Sequence, residues 1–225
     1  MDTRTFRITD SRELDTCIYP DNANYPLTEE QIHNGEPHNS NFSYAYTKRM
    51  LDVMSRSYRK QYGCNFVTVV ANNLFGPNDQ FDLENSHVLP AIIRKIFEAK
   101  YNNMEEVEFW GDGEALREFS YSKDFAKLLL LTLENYNGEY PLNVGNTEEY
   151  SIKNIVEMVC DIFDYKGKVN WNVSKPSGQF RKPSSNKKLL QLGWWKKEDY
   201  TPLLHALKET SEWLEKNYLR ARGIR

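Results

Sequence analysis

Residues 65–71 read Asn-Phe-Val-Thr-Val-Val-Ala, a nearly continuous run of apolar and β-branched side chains. Such a run is typical of a strand that is covered on both faces, and strands of this kind occur in parallel sheets packed between helices. The polar segment Asn72–Asp79 follows the run directly. It therefore lies at the carboxyl end of a parallel strand, where open α/β sheets bind their ligands. The run predicts an α/β fold with a functional site just after it.

Helical and extended segments alternate along the rest of the chain. Apolar residues follow helical spacing from Ser43, a suitable N-cap, until Tyr62-Gly63. The same reasoning predicts further helices at 88–101, 123–136, 152–162 and 202–219, and strands at 107–110, 141–145 and 168–173. Cys17–Pro20 is predicted to be the end of a short strand, stopped by its proline. The alternation supports a parallel sheet with helices on its faces.

Composition excludes several classes of protein. The 225 residues carry a net charge of -3 with scattered Lys and Arg, so nucleic-acid binding is not expected. No stretch approaches the roughly 18 apolar residues of a membrane span, and the first residues are polar, which predicts a cytoplasmic protein without membrane attachment.

Cys17, Cys64 and Cys160 are widely spaced and fit no metal-ligand pattern. They are predicted to be reduced thiols, and no metal site is expected.

Tyr44 and Lys48 form a Tyr-x-x-x-Lys element at the start of the first predicted helix. Residues four apart lie on the same helix face, and a nearby ammonium lowers the pKa of a phenol because it stabilises the phenolate. Tyr44 is therefore a candidate proton donor for a carbonyl group that is being reduced. On spacing alone, an exposed pair of helical side chains is the more common explanation.

Several segments together resemble the GDP-L-fucose synthase family of the extended short-chain dehydrogenases/reductases. The resemblance runs from about Asp15 to Tyr218. It is carried by Cys17–Asp21, His33–Phe42, Tyr44–Met50, Asn73–Pro77, Asn85–Pro90, Phe109–Gly111 and Arg117–Phe119. The Tyr-x-x-x-Lys element alone indicates only a short-chain reductase, whereas Asn85–Pro90 beside Cys17–Pro20 is specific to this family.

The resemblance implies a fold and an activity. The fold is the C-terminal part of a Rossmann-like doubly wound parallel sheet with a smaller α/β substrate-binding domain. Residues 15–86 belong to the NADP-binding domain, and 87–225 belong mostly to the GDP-sugar domain, with some segments returning to the Rossmann sheet. Residues 1–14 match nothing in the family. The implied reaction epimerises C3 and C5 of GDP-4-keto-6-deoxy-mannose and reduces C4 with NADPH, in a homodimer formed through the Tyr44 helix.

The resemblance also implies the role of each site residue. The catalytic residues are Tyr44, Lys48, Cys17 and His87, with Cys17 and His87 as the acid-base pair of the epimerisation. NADP(H) is contacted by Lys48, Asn73, Leu74 and His87, and the GDP-sugar by Lys95, Trp110 and Arg117. Without the resemblance, Cys17 would be an inert strand cysteine, His87 a capping or surface histidine, Trp110 a core aromatic and Arg117 a solvated charge.

Two departures from the family pattern leave alternatives open. Asp15 stands where the family has an active-site serine, and an anion there cannot donate a hydrogen bond to the sugar O4. No Gly-x-Gly-x-x-Gly element precedes Cys17; Gly111-Asp112-Gly113 is a turn and comes too late. We therefore expect a form that lacks the N-terminal nucleotide-binding half, which would also uncover faces of Val67–Val70. The alternative is an inactive homologue that keeps GDP-sugar binding or dimerisation; a different nucleotide-sugar epimerase or dehydratase fits the sequence less well.

Overall fold

The computed structural model describes residues 14–175 and 180–224. The strands are β1 (Leu14–Asp15), β2 (Val69–Ala71), β3 (Asn73–Phe75), β4 (Glu106–Trp110), β5 (Leu116–Tyr121), β6 (Leu142–Asn143), β7 (Glu149–Ser151) and β8 (Lys168–Asn172). The helices are α1 (Phe42–Tyr62), α2 (Val88–Tyr101), α3 (Ser122–Asn135), α4 (Ile152–Phe163), α5 (Lys187–Gln191) and α6 (Leu203–Asn217). The predicted α/β alternation is confirmed, whereas α5 is an element that the sequence analysis did not predict.

The chain forms two compact units. The first contains the described residues up to Leu74, together with Lys123–Thr147 and Pro183–Tyr200. The second contains Phe75–Ser122, the described parts of Glu148–Lys182 and the described residues from Thr201 onward. The chain therefore passes from the first unit to the second between Leu74 and Phe75, earlier than the boundary at 86 that the resemblance implies. The predicted unmatched segment 1–14 lies outside the described residues except for Leu14, which begins β1.

A parallel sheet with the strand order β1-β2-β6 organises the first unit. Leu14 pairs with Val70 on one side of β2, and Val69 pairs with Leu142 on the other. The parallel sheet predicted from residues 65–71 is confirmed. The strand itself is shorter than predicted, since β2 covers only Val69–Ala71. Its neighbour β6 is two residues long, which limits how far β2 pairs on that side.

Both faces of this sheet are covered. Val70 packs with Leu14, Ile18 and neighbouring apolar residues on one face. Ala71 belongs to a separate cluster that includes Leu128 of α3. Successive residues of a strand point to opposite faces, so the two adjacent residues of β2 join two different cores. This arrangement explains why the sequence of β2 is apolar without alternation.

Helix α1 turns its polar side inward. It ends at Gly63, whose φ of 66° provides the left-handed C-cap that the sequence predicts. The predicted N-cap Ser43 is wrong, because a 3-10 turn at Asn39–Asn41 precedes the helix and Asn41 is the N-cap. The buried residues of α1 are Ala45, Arg49, Asp52 and Ser55, whereas Phe42, Tyr46, Met50, Val53 and Met54 are exposed.

A second prediction was also wrong in detail. Cys17 does not lie at the end of a strand, since β1 stops at Asp15 and Thr16–Ile18 form a 3-10 turn. The Asp15 side chain accepts a hydrogen bond from the backbone N–H of Cys17. Aspartate side chains commonly bond to backbone groups two residues on, and this bond competes with the extension of the strand.

Helices α2, α4 and α6 share one hydrophobic core in the second unit. Ser151 caps α4 as predicted, because its hydroxyl accepts the backbone N–H of Asn154. Strands β4 and β8 pair in parallel, with Trp110 opposite Asn172. Exposed and buried residues alternate along β4, so Phe109 is buried and Trp110 points away from the core. Strands β5 and β7 pair antiparallel, with Arg117 opposite Tyr150.

Gly113 is required by the turn between β4 and β5. Its φ is +80°, and a Cβ atom built there would lie 2.8 Å from the Trp171 ring. We expect Gly113→Ala to lower the free energy of unfolding by about 2 to 4 kcal/mol, because left-handed strain and a steric clash add. Urea denaturation measures this change.

Gly193→Ala is the matched control. Gly193 has a φ of +76°, but no atom lies within 4 Å of the position that a Cβ atom would occupy. Only the conformational strain remains, so the expected loss is about 1 to 2 kcal/mol. Equal losses in the two variants would contradict the contribution of the Trp171 contact.

Candidate active site

Tyr44 and Lys48 lie one turn apart near the start of α1, as their spacing predicts. The Lys48 Nζ atom lies 5.5 Å from the centroid of the Tyr44 ring. Tyr44 is 47% exposed, and Lys48 is half-buried. An ammonium beside a phenol stabilises the phenolate, and the exposed ring is accessible to a ligand. The pair is arranged to exchange a proton with a bound carbonyl compound.

Cys17 is held in its turn by Asp15. The Oδ1 atom of Asp15 accepts hydrogen bonds from the Cys17 N–H at 3.2 Å and from the Thr16 hydroxyl at 3.1 Å. The carboxylate thus satisfies a backbone donor at the start of the 3-10 turn, as an N-cap does. It cannot donate a hydrogen bond to a ligand, as the sequence indicates, and its role in the structure is to fix the segment that carries the thiol.

A buried hydrogen bond joins the segment after Cys17 to the end of β6. The Tyr19 hydroxyl donates to Asn143 Oδ1 at 2.6 Å. The amide nitrogen of Asn143 in turn donates to the carbonyl oxygens of Leu27 and Ser185, each at 3.1 Å. Asn143 therefore connects three separate segments of the first unit. The sequence carries no local signal for this role of Asn143, since its partners are distant along the chain.

The carboxyl group of Glu29 completes this network. It accepts the backbone N–H of Asn143 at 2.9 Å. Burial raises the pKa of the Glu29 carboxyl, and the nearby hydrogen bond and Lys188 only partly offset this effect. Burial, followed by the neighbouring Glu29, also raises the pKa of the Tyr19 phenol. Buried polar groups of this kind destabilise a fold unless they are hydrogen-bonded, and the network supplies these bonds.

Asn73 and Leu74 follow β2 and are half-buried. The preceding Asn72 is buried, and its amide nitrogen donates to the carbonyl oxygen of Asn146 at 2.7 Å. A Cβ atom at Gly145 would lie 2.8 Å from the same amide, so this close approach requires glycine. Asn72 and Gly145 were not predicted as site residues. They join the carboxyl ends of β2 and β6, the edge at which such sheets bind ligands.

His87 lies in the second unit, immediately before α2. It is the N-cap residue of α2, and its carbonyl oxygen accepts the Ala91 N–H, but its imidazole is exposed and makes no capping hydrogen bond within the described part of the chain. The carboxyl of Asp79 interacts electrostatically with His87 and Arg222, although burial is the larger effect and raises the Asp79 pKa. An exposed imidazole next to a carboxylate can give or take a proton.

Trp110 ends β4, and Lys95 lies on α2 with its side chain directed to β4. Trp110 is 61% exposed, so it is not a core aromatic. The Nζ atom of Lys175 lies 5.6 Å from the centroid of its ring. Lys95 donates to the Glu108 carbonyl oxygen at 3.2 Å. An exposed indole with cations nearby is suited to stack on a flat ring that carries negative charge.

Arg117 lies on β5 and is half-buried. Its Nη1 atom donates to the carbonyl oxygens of Leu116 at 2.7 Å and Phe180 at 3.3 Å. Burial lowers the pKa of the guanidinium, so Arg117 is not the fully solvated charge of the alternative prediction. Its fixed position is suited to bind an anionic group.

The predicted site residues divide between the two units. Cys17, Tyr44, Lys48, Asn73 and Leu74 belong to the first unit, and His87, Lys95, Trp110 and Arg117 to the second. Within residues 14–175 and 180–224, no group of His, Cys, Asp and Glu side chains is arranged to hold a metal ion. No helix in the described part of the chain is long and apolar enough to cross a membrane.

Residues 14–145 match the family model described as "NAD dependent epimerase/dehydratase family", and the chain belongs to this family. Within it, the chain is similar to GDP-L-fucose synthases. It is 42% identical to the GDP-L-fucose synthase of Dictyostelium discoideum, an alignment that covers 93% of this chain and 65% of the relative. It is 35% identical to a probable GDP-L-fucose synthase of Drosophila melanogaster, covering 93% of this chain and 67% of the relative.

Solved structures give the same result. A GDP-L-fucose synthetase from Naegleria fowleri bound to NADP is 41% identical, with a TM-score of 0.88 over 93% of this chain and 66% of that chain. The predicted resemblance to the GDP-L-fucose synthase family is confirmed. The chain spans 65% of the length of the Dictyostelium relative.

The raised pKa of Glu29 predicts a pH-dependent contribution to stability. A group whose pKa is higher in the folded state contributes stability below its unfolded pKa, and this contribution is lost as pH rises through the folded pKa. Glu29→Gln keeps an acceptor oxygen and cannot ionise. The stability of this variant relative to the wild type should therefore increase between pH 4.5 and pH 8, by about 1 to 3 kcal/mol, when measured by urea denaturation.

Glu30→Gln is the control for Glu29→Gln. Hydrogen bonds lower the pKa of the Glu30 carboxyl, so this group contributes stability above its unfolded pKa and loses it as pH falls. Replacing Glu30 should therefore give a pH dependence of the opposite sign. The same slope for both variants would show that the burial of Glu29 is not the cause.

Proposed function

We propose that this chain takes part in converting GDP-4-dehydro-6-deoxy-D-mannose into GDP-L-fucose, by epimerisation at C3 and C5 and NADPH-dependent reduction at C4. The observation that carries the proposal is the pair of Tyr44 and Lys48, with the Lys48 ammonium 5.5 Å from the phenol ring. Its support comes from the 42% identity to a GDP-L-fucose synthase. We place the reaction in the cytoplasm, because three widely spaced cysteines suit a reducing compartment.

Epimerisation next to a ketone removes a proton from one face of the carbon and returns a proton to the other face. We assign these transfers to the Cys17 thiol and the His87 imidazole. When the proton leaves, negative charge develops on O4, and the Tyr44 hydroxyl stabilises this enolate by a hydrogen bond. After C4 has been reduced, Tyr44 donates its proton to O4, and the Lys48 ammonium stabilises the phenolate that remains.

The residues of the first unit fit the reactive end of a nicotinamide cofactor. Lys48 lies beside the phenol, and Asn73 and Leu74 follow a parallel strand at its carboxyl end. We infer that these residues, together with His87, hold the nicotinamide and its ribose. When bound, NADPH supplies the hydride that reduces C4. The chain contributes the proton and excludes water through the half-buried positions of Lys48, Asn73 and Leu74.

The second unit supplies candidates for binding the GDP-sugar. The exposed ring of Trp110 can stack on a nucleobase, and Lys95 and Arg117 can pair with a diphosphate. Lys95 lies within reach of β4, since it bonds to the Glu108 carbonyl oxygen. Because Arg117 is already anchored on Leu116 and Phe180, it can bind an anion with little loss of side-chain entropy.

A second copy of the chain is the partner that we propose for α1. Phe42, Tyr46, Met50, Val53 and Met54, here called the α1 apolar face, are exposed on one side of the helix. Apolar patches that contain aromatic and Met side chains are typical of protein interfaces. The buried side of the same helix is occupied by Arg49 and Asp52. The apolar side therefore remains available for a homodimer.

An inactive homologue that binds the GDP-sugar is the second candidate function. It is favoured by Asp15, whose carboxylate is engaged with the N–H of Cys17 and replaces the hydroxyl of the family pattern. The two candidates differ in turnover and share GDP binding.

The proposed activity requires NADPH consumption when the protein is given GDP-4-keto-6-deoxy-mannose. We expect Tyr44→Phe to lower kcat by about 100-fold or more, because a general acid is lost. Tyr58→Phe, an exposed tyrosine on the same helix, is the control and should keep the wild-type rate. Spectrophotometry at the NADPH absorbance measures both variants.

The absence of turnover in the wild type would exclude the enzymatic proposal. GDP should then still raise the melting temperature, and Trp110→Ala should abolish this shift, if the chain is an inactive GDP-sugar binder. No shift with GDP in the wild type would contradict this second function as well.

Burial of the α1 apolar face predicts a dimer in solution. Met50 is 53% exposed, and Met50→Glu places a charge in the centre of this face. We expect the variant to be monomeric by analytical ultracentrifugation at micromolar concentration, with the wild type dimeric. Leu130→Glu, which changes an exposed leucine of α3 in the same unit, is the control and should leave the mass unchanged. A monomeric wild type would refute the interface.

A further inference from the structure

Arg49 is a buried cation that directly follows Lys48 on α1. It is 5% exposed, and its side chain spans the space between the helix and two loop segments. The Nε atom donates to the Ile18 carbonyl oxygen at 2.6 Å, and Nη1 donates to the Gly35 carbonyl oxygen at 2.7 Å. Ile18 is the residue after Cys17 and belongs to the same 3-10 turn. One guanidinium thus connects the Tyr44 helix to the Cys17 turn.

The burial of Arg49 has a cost in stability. Burial lowers the pKa of its guanidinium, and the Nη2 atom has no hydrogen-bond partner among the described residues. A buried donor without an acceptor lowers the stability of the folded chain. An apolar residue would pack at this position without that cost. The advantage of an arginine at this position is therefore the geometry of its two hydrogen bonds to the carbonyl oxygens of Ile18 and Gly35.

The ring of Tyr46 limits the movement of the guanidinium from the other side. Its centroid lies 5.3 Å from the Arg49 Cζ atom. Two short bonds from a rigid fork and an aromatic ring near its central carbon together restrict the position of the group. Lysine has a single, freely rotating ammonium and cannot hold two carbonyl groups from separate segments in the same way.

A second anchor acts on the same turn from a different direction. The hydroxyl of Tyr19 bonds to Asn143 and so attaches this segment to the sheet. That bond does not reach α1. The turn contacts α1 through the apolar packing of Ile18 and Leu51 and through the hydrogen bond from Arg49 to the Ile18 carbonyl oxygen, and of these two the hydrogen bond is the directional contact.

We propose that Arg49 is a positioning residue that sets Cys17 at a fixed distance from the Tyr44 and Lys48 pair. The inference rests on the proposed function, because it concerns the Cys17 thiol, which exchanges protons at C3 and C5, and the Tyr44 phenol, which acts on O4 of the intervening C4. A displacement of about 1 Å between such groups lowers a rate by about 100-fold. Arg49 itself does not touch the sugar.

The first test follows the accessibility of cysteines and needs no enzyme activity. Iodoacetamide alkylation of Cys17 and Cys64 is measured by peptide mass spectrometry in the full chain. We expect Arg49→Met to raise the Cys17 rate severalfold and to leave the Cys64 rate unchanged, because only the Cys17 turn is released. Arg49→Lys should give an intermediate Cys17 rate.

Arg59→Met is the matched control on the same helix. Arg59 bonds to Asn65 at 2.7 Å and to Asn137, and neither belongs to the Cys17 turn. Its loss should raise the rate of Cys64, the neighbour of Asn65, and leave Cys17 unchanged. An unchanged Cys17 rate in Arg49→Met, or a parallel rise at Cys17 and Cys64, would overturn the positioning role.

The second test measures proton transfer without a nicotinamide. Deuterium incorporation from D2O at C3 and C5 of GDP-4-keto-6-deoxy-mannose is followed by mass spectrometry. We expect Arg49→Met to lower kcat about 100-fold with KM within twofold of the wild type, and Arg59→Met to match the wild type. Equal effects of both variants would overturn the proposal. If the wild type itself fails to exchange, the proposed function fails, and the alkylation rates alone decide the role of Arg49.

Discussion

The parallel pairing of β2 between β1 and β6 is the constraint on which the first unit depends. Because the three strands run in the same direction, the segments that follow them meet at one edge of the sheet. Cys17 follows β1, Asn73 follows β2 and Gly145 follows β6. The side chains of β2 itself pack in two apolar cores and are not among the candidate site residues. The fold thus separates stability, inside the sheet, from reactivity, at its edge.

Several buried polar side chains connect separate segments of the first unit near that edge. Glu29, Asn143 and Arg49 are all buried there, and each bonds to backbone groups of another segment. Hydrogen bonds of this kind contribute little net stability, but they have direction, whereas apolar contacts do not. The segments after β1 also bury Ile18, Leu27 and Ile32 in an apolar cluster. The directional bonds add a defined arrangement to this packing, and we propose that they position Cys17 and Tyr44 at the expense of some stability.

The sequence predicted those parts of the structure that depend on local periodicity. The bounds of α2 and the Gly63 end of α1 follow from apolar spacing and from the conformational freedom of glycine. The 3-10 turn at Cys17 was missed, because Asp15 competes for the backbone. The bond from Tyr19 to Asn143 spans 124 residues and has no local signal. Family motifs supplied the candidate site residues, which stay a prediction, whereas physical reasoning alone left Tyr44 and Lys48 as an ordinary helical pair.

Helix α1 shows why pattern and packing differ at such a site. Its apolar stripe is exposed, and its inner side carries Arg49 and Asp52, which bond to Ile18, Gly35, His33 and Arg56. Polar bonds to Ile18, Gly35 and His33 therefore contribute to holding the helix against its own unit, together with the apolar contact of Leu51, and we propose that they position Tyr44 relative to Cys17. Burying the apolar face against a second copy would add hydrophobic stabilisation on the outer side and leave the inner bonds unchanged. Association would then use the outer side of α1, and the bonds that we propose to position Tyr44 relative to Cys17 would use its inner side. A dimer would thereby stabilise a helix whose position the single chain already determines.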